Sequence, residues 1–350
     1  MSKIKINLYS DTQTRPTPDM REAMARAPVG DEQRDEDPSV NRLCAAACEL
    51  LGKEAAMFLP SGTMCNQIAI AVHCQSGDEI IADRTAHIIH SEAAGSAAFA
   101  GALVYSLDGQ RGVYGAEQVE EAIREENRHK PRTALISVEQ TSNAGGGTVW
   151  PLAAIESVAG VAGRHGIPLH MDGARLMNTV VASGNSAHDF AKPFDSVWID
   201  LSKGLGCPVG GVLAGSQEFI QRAWRWKHRM GGAMRQAGIV AAAGIYALDN
   251  NVERLAEDHA NARFLADRLA TVPGIAVEPE TVETNIVYFD VKGTGKTAAD
   301  VYEALLEHGV RIGRMGPYRM RAVTHLDVDR AGVEAAAEAV GAVVGKRSAA

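Results

Sequence analysis

The chain has 350 residues, 46% of them hydrophobic and 22% charged, with a formal net charge of −8. That balance fits a protein of about two domains with a sizeable core, and it argues against nucleic acid or an anionic membrane surface as the main partner. Five cysteines form no CxxC pair and no even framework, residues 1–11 hold no apolar signal core, and no apolar run approaches the ~18 residues of a membrane span. The expected setting is the reducing cytoplasm, with Cys44 and Cys48 as small core residues.

Residues 7–18 read as a polar, extended arm. The acidic cluster 31–37, broken by Arg34, reads as a solvated loop. Asp37 and Pro38 open a helix as N-cap and first residue, with Val40, Leu43, Ala47 and Leu50 on one face and Gly52 as the stop. Leu59-Pro60-Ser61-Gly62-Thr63 then leads into a helix over 64–74. By itself this is an ordinary Ser N-cap, yet small residues and a hydroxyl at a helix start also suit an anion, because free backbone N–H groups and the helix dipole converge there.

From there strands and helices alternate. Strands are predicted over 79–82, 103–106, 134–138, 167–171, 196–199 and 211–214, with helices over 91–100, 117–126 and 152–165. Repeated βα units predict an α/β fold with a mostly parallel sheet covered on both faces. The helix over 219–230 carries Trp224 and Trp226, which are too close in sequence to share a face, one for the core and one for a subunit contact. A long charged helix over 251–269 fits a connector. Beyond it, strands over 285–291 and 318–324 and helices over 298–308 and 333–344 describe a smaller α+β domain. The predicted division is residues 1–249, arm plus large α/β domain, and residues 250–350.

Two predicted strands end on ionisable groups, in His170-Met171-Asp172-Gly173-Ala174-Arg175 and Leu201-Ser202-Lys203-Gly204-Leu205-Gly206. The carboxyl ends of strands are where open α/β sheets bind ligands. Alone, Asp172 reads as a helix N-cap and Lys203 as a turn residue. Together, a carboxylate and an amine so placed are what pyridoxal phosphate requires: the lysine forms a Schiff base, and the acid keeps the pyridine nitrogen protonated. Other motifs fail. The segment 293–297 ends like a Walker A loop, but position 290, where the first glycine belongs, is Asp290. Gly204-Leu205-Gly206 cannot open a dinucleotide site because Pro208 interrupts the helix. His87, His90 and Glu92 have no second cluster to close a zinc shell, so no metal is expected, and His87 is read instead as lying over an aromatic cofactor.

The ordered segments Tyr9-Ser10-Asp11-Thr12-Gln13-Thr14-Arg15-Pro16, Gly52-Lys53-Glu54-Ala55-Ala56, Pro60-Ser61-Gly62-Thr63, Asp172-Gly173-Ala174-Arg175, Leu201 to Gly206, Gly232-Ala233-Met234-Arg235-Gln236 and Val323-Thr324-His325-Leu326-Asp327-Val328 span nearly the whole chain. In them the sequence resembles the low-specificity L-threonine aldolases, within the fold-type-I pyridoxal-phosphate enzymes. The resemblance implies that Lys203 carries the cofactor and Asp172 pairs with its ring nitrogen. It further implies that Gly62, Thr63 and Arg235 hold the phosphate and His87 stacks on the ring. Ser10, Arg175 and Arg321 would take the substrate carboxylate. The implied reaction is retro-aldol cleavage of an L-β-hydroxy-α-amino acid to glycine and an aldehyde, with His87 the first candidate for proton transfer. A homo-oligomer, a tetramer built from dimers, is implied as well.

The chain departs from the family pattern at two places. Ser142 stands in the Glu139-Gln140-Thr141-Ser142-Asn143 run where the family carries a histidine near the substrate hydroxyl, and Arg34 stands where a tyrosine is common. An added cation and a lost imidazole would favour a polar or acidic β-substituent. Two other readings stay open at this stage: a β-eliminating lyase or dehydratase using the same Lys203 and Asp172, and a catalytically silent scaffold or ligand sensor.

Overall fold

The computed structural model describes residues 4–345. Its eleven strands are β1 (Ile6–Leu8), β2 (Ala55–Leu59), β3 (Glu79–Asp83), β4 (Leu103–Leu107), β5 (Thr133–Glu139), β6 (Leu169–Gly173), β7 (Ser196–Asp200), β8 (Gly211–Gly215), β9 (Ile286–Asp290), β10 (Val310–Arg314) and β11 (Arg319–Val323). Seven form one sheet in the order β2-β8-β7-β6-β5-β3-β4, parallel from β7 to β4. Every residue of β3, β6, β7 and β8 is buried, as expected of strands covered on both faces.

The predicted strand over 211–214 exists but runs against its neighbours. β8 pairs antiparallel with both β7 and β2. A parallel crossover needs a dozen or more residues, usually a helix, and the link 201–210 is too short for one, so the chain turns straight back. This turn holds Lys203. β2, which pairs with β8 at the sheet edge, was not predicted.

The second sheet has the order β1-β10-β11-β9. β1 lies in the stretch read as an extended arm and pairs parallel with β10. The arm also carries a 3-10 turn, Asp11–Gln13, and leads into a helix, Pro18–Ala25. Each sheet has its own apolar core, and the helix Leu255–Ala270 joins them. Its Leu255 packs with the large-sheet core, while Ala262, Leu265 and Leu269 pack with the small one.

The helix Pro38–Leu51 starts and stops as predicted, with Asp37 Oδ1 accepting from the Ser39 and Val40 N–H groups and Gly52 at φ +64°. The helix predicted over 91–100 does not form. Ala93 and Ala94 take positive φ, which no helix tolerates, and only Ser96–Ala100 makes a wide π-type turn. The acidic loop is not solvated throughout. Glu32 is buried, and its Oε1 accepts from the equally buried Lys227 ammonium, which also donates to the Phe58 carbonyl at 2.8 Å. Trp224 and Trp226 are both half-buried, so neither is a fully enclosed core residue. Cys44 is half-buried and packs against the large-sheet core, whereas Cys48 is half-buried outside it. Among the described residues no helix is long and apolar enough to cross a membrane.

Candidate active site

Three strand ends and one helix start meet above the large sheet. Asp172 is the last residue but one of β6, beside Trp198 of β7, its register partner. Its buried carboxylate accepts from the Ala174 N–H at Oδ1 (3.1 Å) and from the Asn66 amide at Oδ2 (2.7 Å). Burial pushes the Asp172 pKa up, while His87 and Lys203 pull against that rise. Just past β7, the Lys203 ammonium lies 2.9 Å from Asp200 Oδ2 and 5.6 Å from the centre of the Trp198 ring. The arm reaches this loop, because the Thr14 hydroxyl donates to the Lys203 carbonyl at 2.9 Å.

His87 faces the same place. Its Nδ1 sits 2.8 Å from Glu92 Oε1 and its backbone N–H donates to Glu139 Oε2 at 2.7 Å. Burial acts to lower the His87 pKa, but the Glu92 hydrogen bond and the nearby Asp172 and Glu139 charges outweigh it and hold the pKa above the ordinary imidazole value. Glu139, at the end of β5, is pushed up to about 7, by burial first and then by the Asp172 charge. The ligand atoms of His87, Glu92 and Asp172 lie within 4.8 Å of one another, and the Asn66 amide donates to both carboxylates.

The helix Gly62–His73 aims its start at this cluster. Ser61 is its N-cap, accepting from the Met64 N–H at 3.2 Å, and the Gly62 and Thr63 amides have no intrahelical acceptor. Glycine is required at 62 for space: a Cβ there would stand 2.2 Å from the Trp198 ring.

The predicted carboxylate ligands gather on the arm side. Arg175 is buried and already holds a partner, donating from Nε and Nη2 to the two oxygens of Asp11 at 2.7 and 2.8 Å. Asp11 also accepts from Asn285 at 3.1 Å, and although burial alone would raise its pKa, Arg175 holds it well below the ordinary carboxylate range. Ser10 accepts from the Thr12 N–H and hydroxyl as the cap of the adjoining turn. Arg321 donates to Asn143 Oδ1 at 3.0 Å and points Nη2 toward the Tyr9 carbonyl at 3.5 Å, while its Nε is buried with no hydrogen-bond partner.

Two predicted residues stand apart. Arg235 is largely exposed and donates to Asp31 at 2.8 Å, although its loop touches the helix start, where a Cβ on Gly232 would meet Met64. Ser142 is buried against Gly112, its hydroxyl accepting from the Gly145 N–H at 3.3 Å. Arg34 has a side chain 72% exposed and 3.9 Å from Asp31, so in this chain it adds no cation to the cluster.

Sequence reasoning passed over Asp11, Asn66, Glu139 and Asp200. Glu139 carried the signal that exposed Asp172, an acid ending an apolar strand. Asp11 lay unremarked inside the arm motif. Asn66 and Gln67 are polar residues in an apolar helical stretch, a pattern that calls for buried partners.

The donor set fits pyridoxal phosphate. Asp172 accepts hydrogen bonds only from neutral groups, so a protonated pyridine nitrogen would bring the hydrogen-bonded cation that this buried carboxylate lacks. An amine at Lys203 and free N–H groups at Gly62 and Thr63 complete the types required.

The profile of the beta-eliminating lyase family matches residues 7–292. The chain belongs to the low-specificity L-threonine aldolase family of beta-eliminating lyases. It is 42% identical over 326 residues to the low specificity L-threonine aldolase of Escherichia coli K12, covering 93% of this chain and 95% of that one. It is 41% identical over 325 residues to the low-specificity L-threonine aldolase 1 of Arabidopsis thaliana, covering 91% of each. In fold it is similar to the threonine aldolase of Leishmania major, with a TM-score of 0.84 at 20% identity, covering 97% of this chain and 99% of that one. The aldolase-family fold is the fold-type-I architecture of pyridoxal-phosphate enzymes, and the sheet order above is how this chain builds it.

Proposed function

We propose that this chain cleaves L-β-hydroxy-α-amino acids of the threonine and allo-threonine type into glycine and an aldehyde, using pyridoxal phosphate. The observation that carries the reading is a buried Asp172 near the end of β6 with the Lys203 amine just past the end of the adjacent β7, close enough to act on its charge. Bound there, the cofactor supplies an electron sink for the charge left at Cα when Cα–Cβ breaks. Lys203 would anchor it covalently, Asp172 would keep its ring nitrogen protonated, and the Gly62 and Thr63 amides would hold its phosphate, which Arg235 would join only by leaving Asp31. The half-buried His87 ring would lie against it.

Arg175 and Arg321, with Ser10, grip the substrate carboxylate. Asp11 occupies two nitrogens of Arg175, which locks the plane of the guanidinium and leaves Nη1 for the ligand. Fixing the carboxylate decides which bond at Cα stands perpendicular to the ring. His87 is held through Nδ1 by Glu92, so Nε2 is its remaining nitrogen and, in the neutral ring, would take the proton of the β-hydroxyl. Ser142, buried against Gly112, has no part in this arrangement within the single chain. Arg34 is exposed on the single chain and adds no cation to this chain's own cluster.

We also propose a cytoplasmic homo-oligomer, a dimer of dimers, for which the exposed apolar side chains of Phe99, Leu103 and Ile239 offer surface. A division near residue 250 accompanies it, with β1 completing the small sheet. The test is to reduce one sample of the pyridoxal-phosphate-loaded protein with borohydride and map the modified peptide, and to supply L-threonine to a second, unreduced sample. Modification at Lys203 with release of glycine supports the reading, and modification elsewhere or no glycine overturns it.

A further inference from the structure

We infer that Asn66 is the positioning residue of this site: one carboxamide holds Asp172 and Glu92 together and ties them to a directional hydrogen-bond chain through His170 and Ser196 to His73. The inference rests on the proposed role of Asp172 at the pyridine nitrogen.

Asn66 is fully buried and uses all four of its hydrogen-bonding positions. Nδ2 donates one hydrogen to Glu92 Oε1 and the other to Asp172 Oδ2, both at 2.7 Å. Oδ1 receives the Trp198 indole N–H at 2.7 Å, and because indole can only donate, the amide cannot be turned the other way. His170 Nε2, 3.1 Å from the same oxygen, must therefore carry a hydrogen. In a neutral imidazole that makes Nδ1 an acceptor, so the Ser196 hydroxyl donates to it at 2.9 Å and in turn accepts from His73 Nε2 at 2.8 Å. Burial keeps both rings neutral, His170 at about 3 and His73 at about 4.

Every donor in this chain points toward Asp172. Aligned dipoles of that kind favour the carboxylate over the carboxylic acid in a buried site. The other hydrogen of the amide does parallel work. Glu92 Oε1, pinned by Asn66, is the oxygen that faces His87 Nδ1, and Glu92 Oε2 accepts from Gln67. Asn66 thus also sets which nitrogen of His87 is left for the substrate.

The probe is pyridoxal phosphate labelled with 15N in the ring, bound to the full chain. In the wild type its nitrogen resonance is expected at the protonated pyridinium position. Asn66→Leu is expected to move it toward the unprotonated position and to weaken cofactor binding at least tenfold. His170→Phe, which keeps a ring but breaks the chain, is expected to move it the same way by less, and serves if Asn66→Leu does not fold. A purely structural role would lower melting temperature without moving the resonance, and an unmoved resonance in both Asn66→Leu and His170→Phe overturns the inference. If the wild type takes up no cofactor at Lys203, the proposed function fails instead.

Discussion

Replacing Asp11 by Asn isolates the charge of a group that touches both the arm and Arg175. The two side chains form a bidentate pair at 2.7 and 2.8 Å, with Arg175 5% exposed and Asp11 fully buried. Removing one partner of a buried ion pair costs about 3–5 kcal/mol, because the other charge is left uncompensated. Asn keeps one acceptor oxygen, so the lower end, about 3 kcal/mol, is expected here. The pH dependence follows from the sign of the shift. Asp11 is held below its ordinary value of 3.8, so its contribution is present above that pH and is lost as pH falls through the folded-state value. Urea unfolding should therefore separate wild type and variant by a constant amount near neutrality, with the gap closing below about pH 4. Saturating glycine should narrow the gap as well, because its carboxylate supplies Arg175 with the missing anion. A difference under about 1 kcal/mol at neutral pH would refute the reasoning, since the pair would then behave as an exposed one.

Lys227→Met should destabilise the protein by about 3 kcal/mol or more, since Glu32 and the Phe58 carbonyl lose a fully buried partner, and adding Glu32→Gln should recover part of it in chemical denaturation. Glu139, raised from 4.5 to about 7, makes the cofactor-free protein lose stability as pH rises through that interval; Glu139→Gln should flatten the slope of unfolding midpoint against pH there. Gly62→Ala drives a methyl to 2.2 Å from the Trp198 ring, so a loss of about 1–3 kcal/mol is expected, together with weaker binding of pyridoxal phosphate in a fluorescence titration.

The parallel part of the sheet was legible because β3, β5, β6 and β7 are short, mostly apolar runs buried on both faces, and Asp172 and Lys203 stood out because each comes at or after the end of such a run. The direction of β8 lay in the length of the 201–210 link, not in any residue pattern. Alanines over 91–100 suggested a helix by propensity alone, and the positive φ at Ala93 and Ala94 shows tertiary packing overriding it. Pairs remote in sequence left no local trace: Glu32 with Lys227, Asp11 with Arg175, Asn66 with Asp172. The acidic loop therefore read as solvated, and Arg175 as a free carboxylate ligand when it already holds one carboxylate. Arg235 was assigned by motif to the phosphate, whereas its partner within this chain is Asp31.

The measurement that bears most directly on the account is product analysis with L-threonine and L-allo-threonine, following glycine, acetaldehyde, ammonia and 2-keto acid together in the pyridoxal-phosphate-loaded protein and in Lys203→Ala. Equimolar glycine and acetaldehyde, absent in the variant, is the predicted result. Keto acid with ammonia in place of glycine would contradict it and make the chain an eliminating lyase.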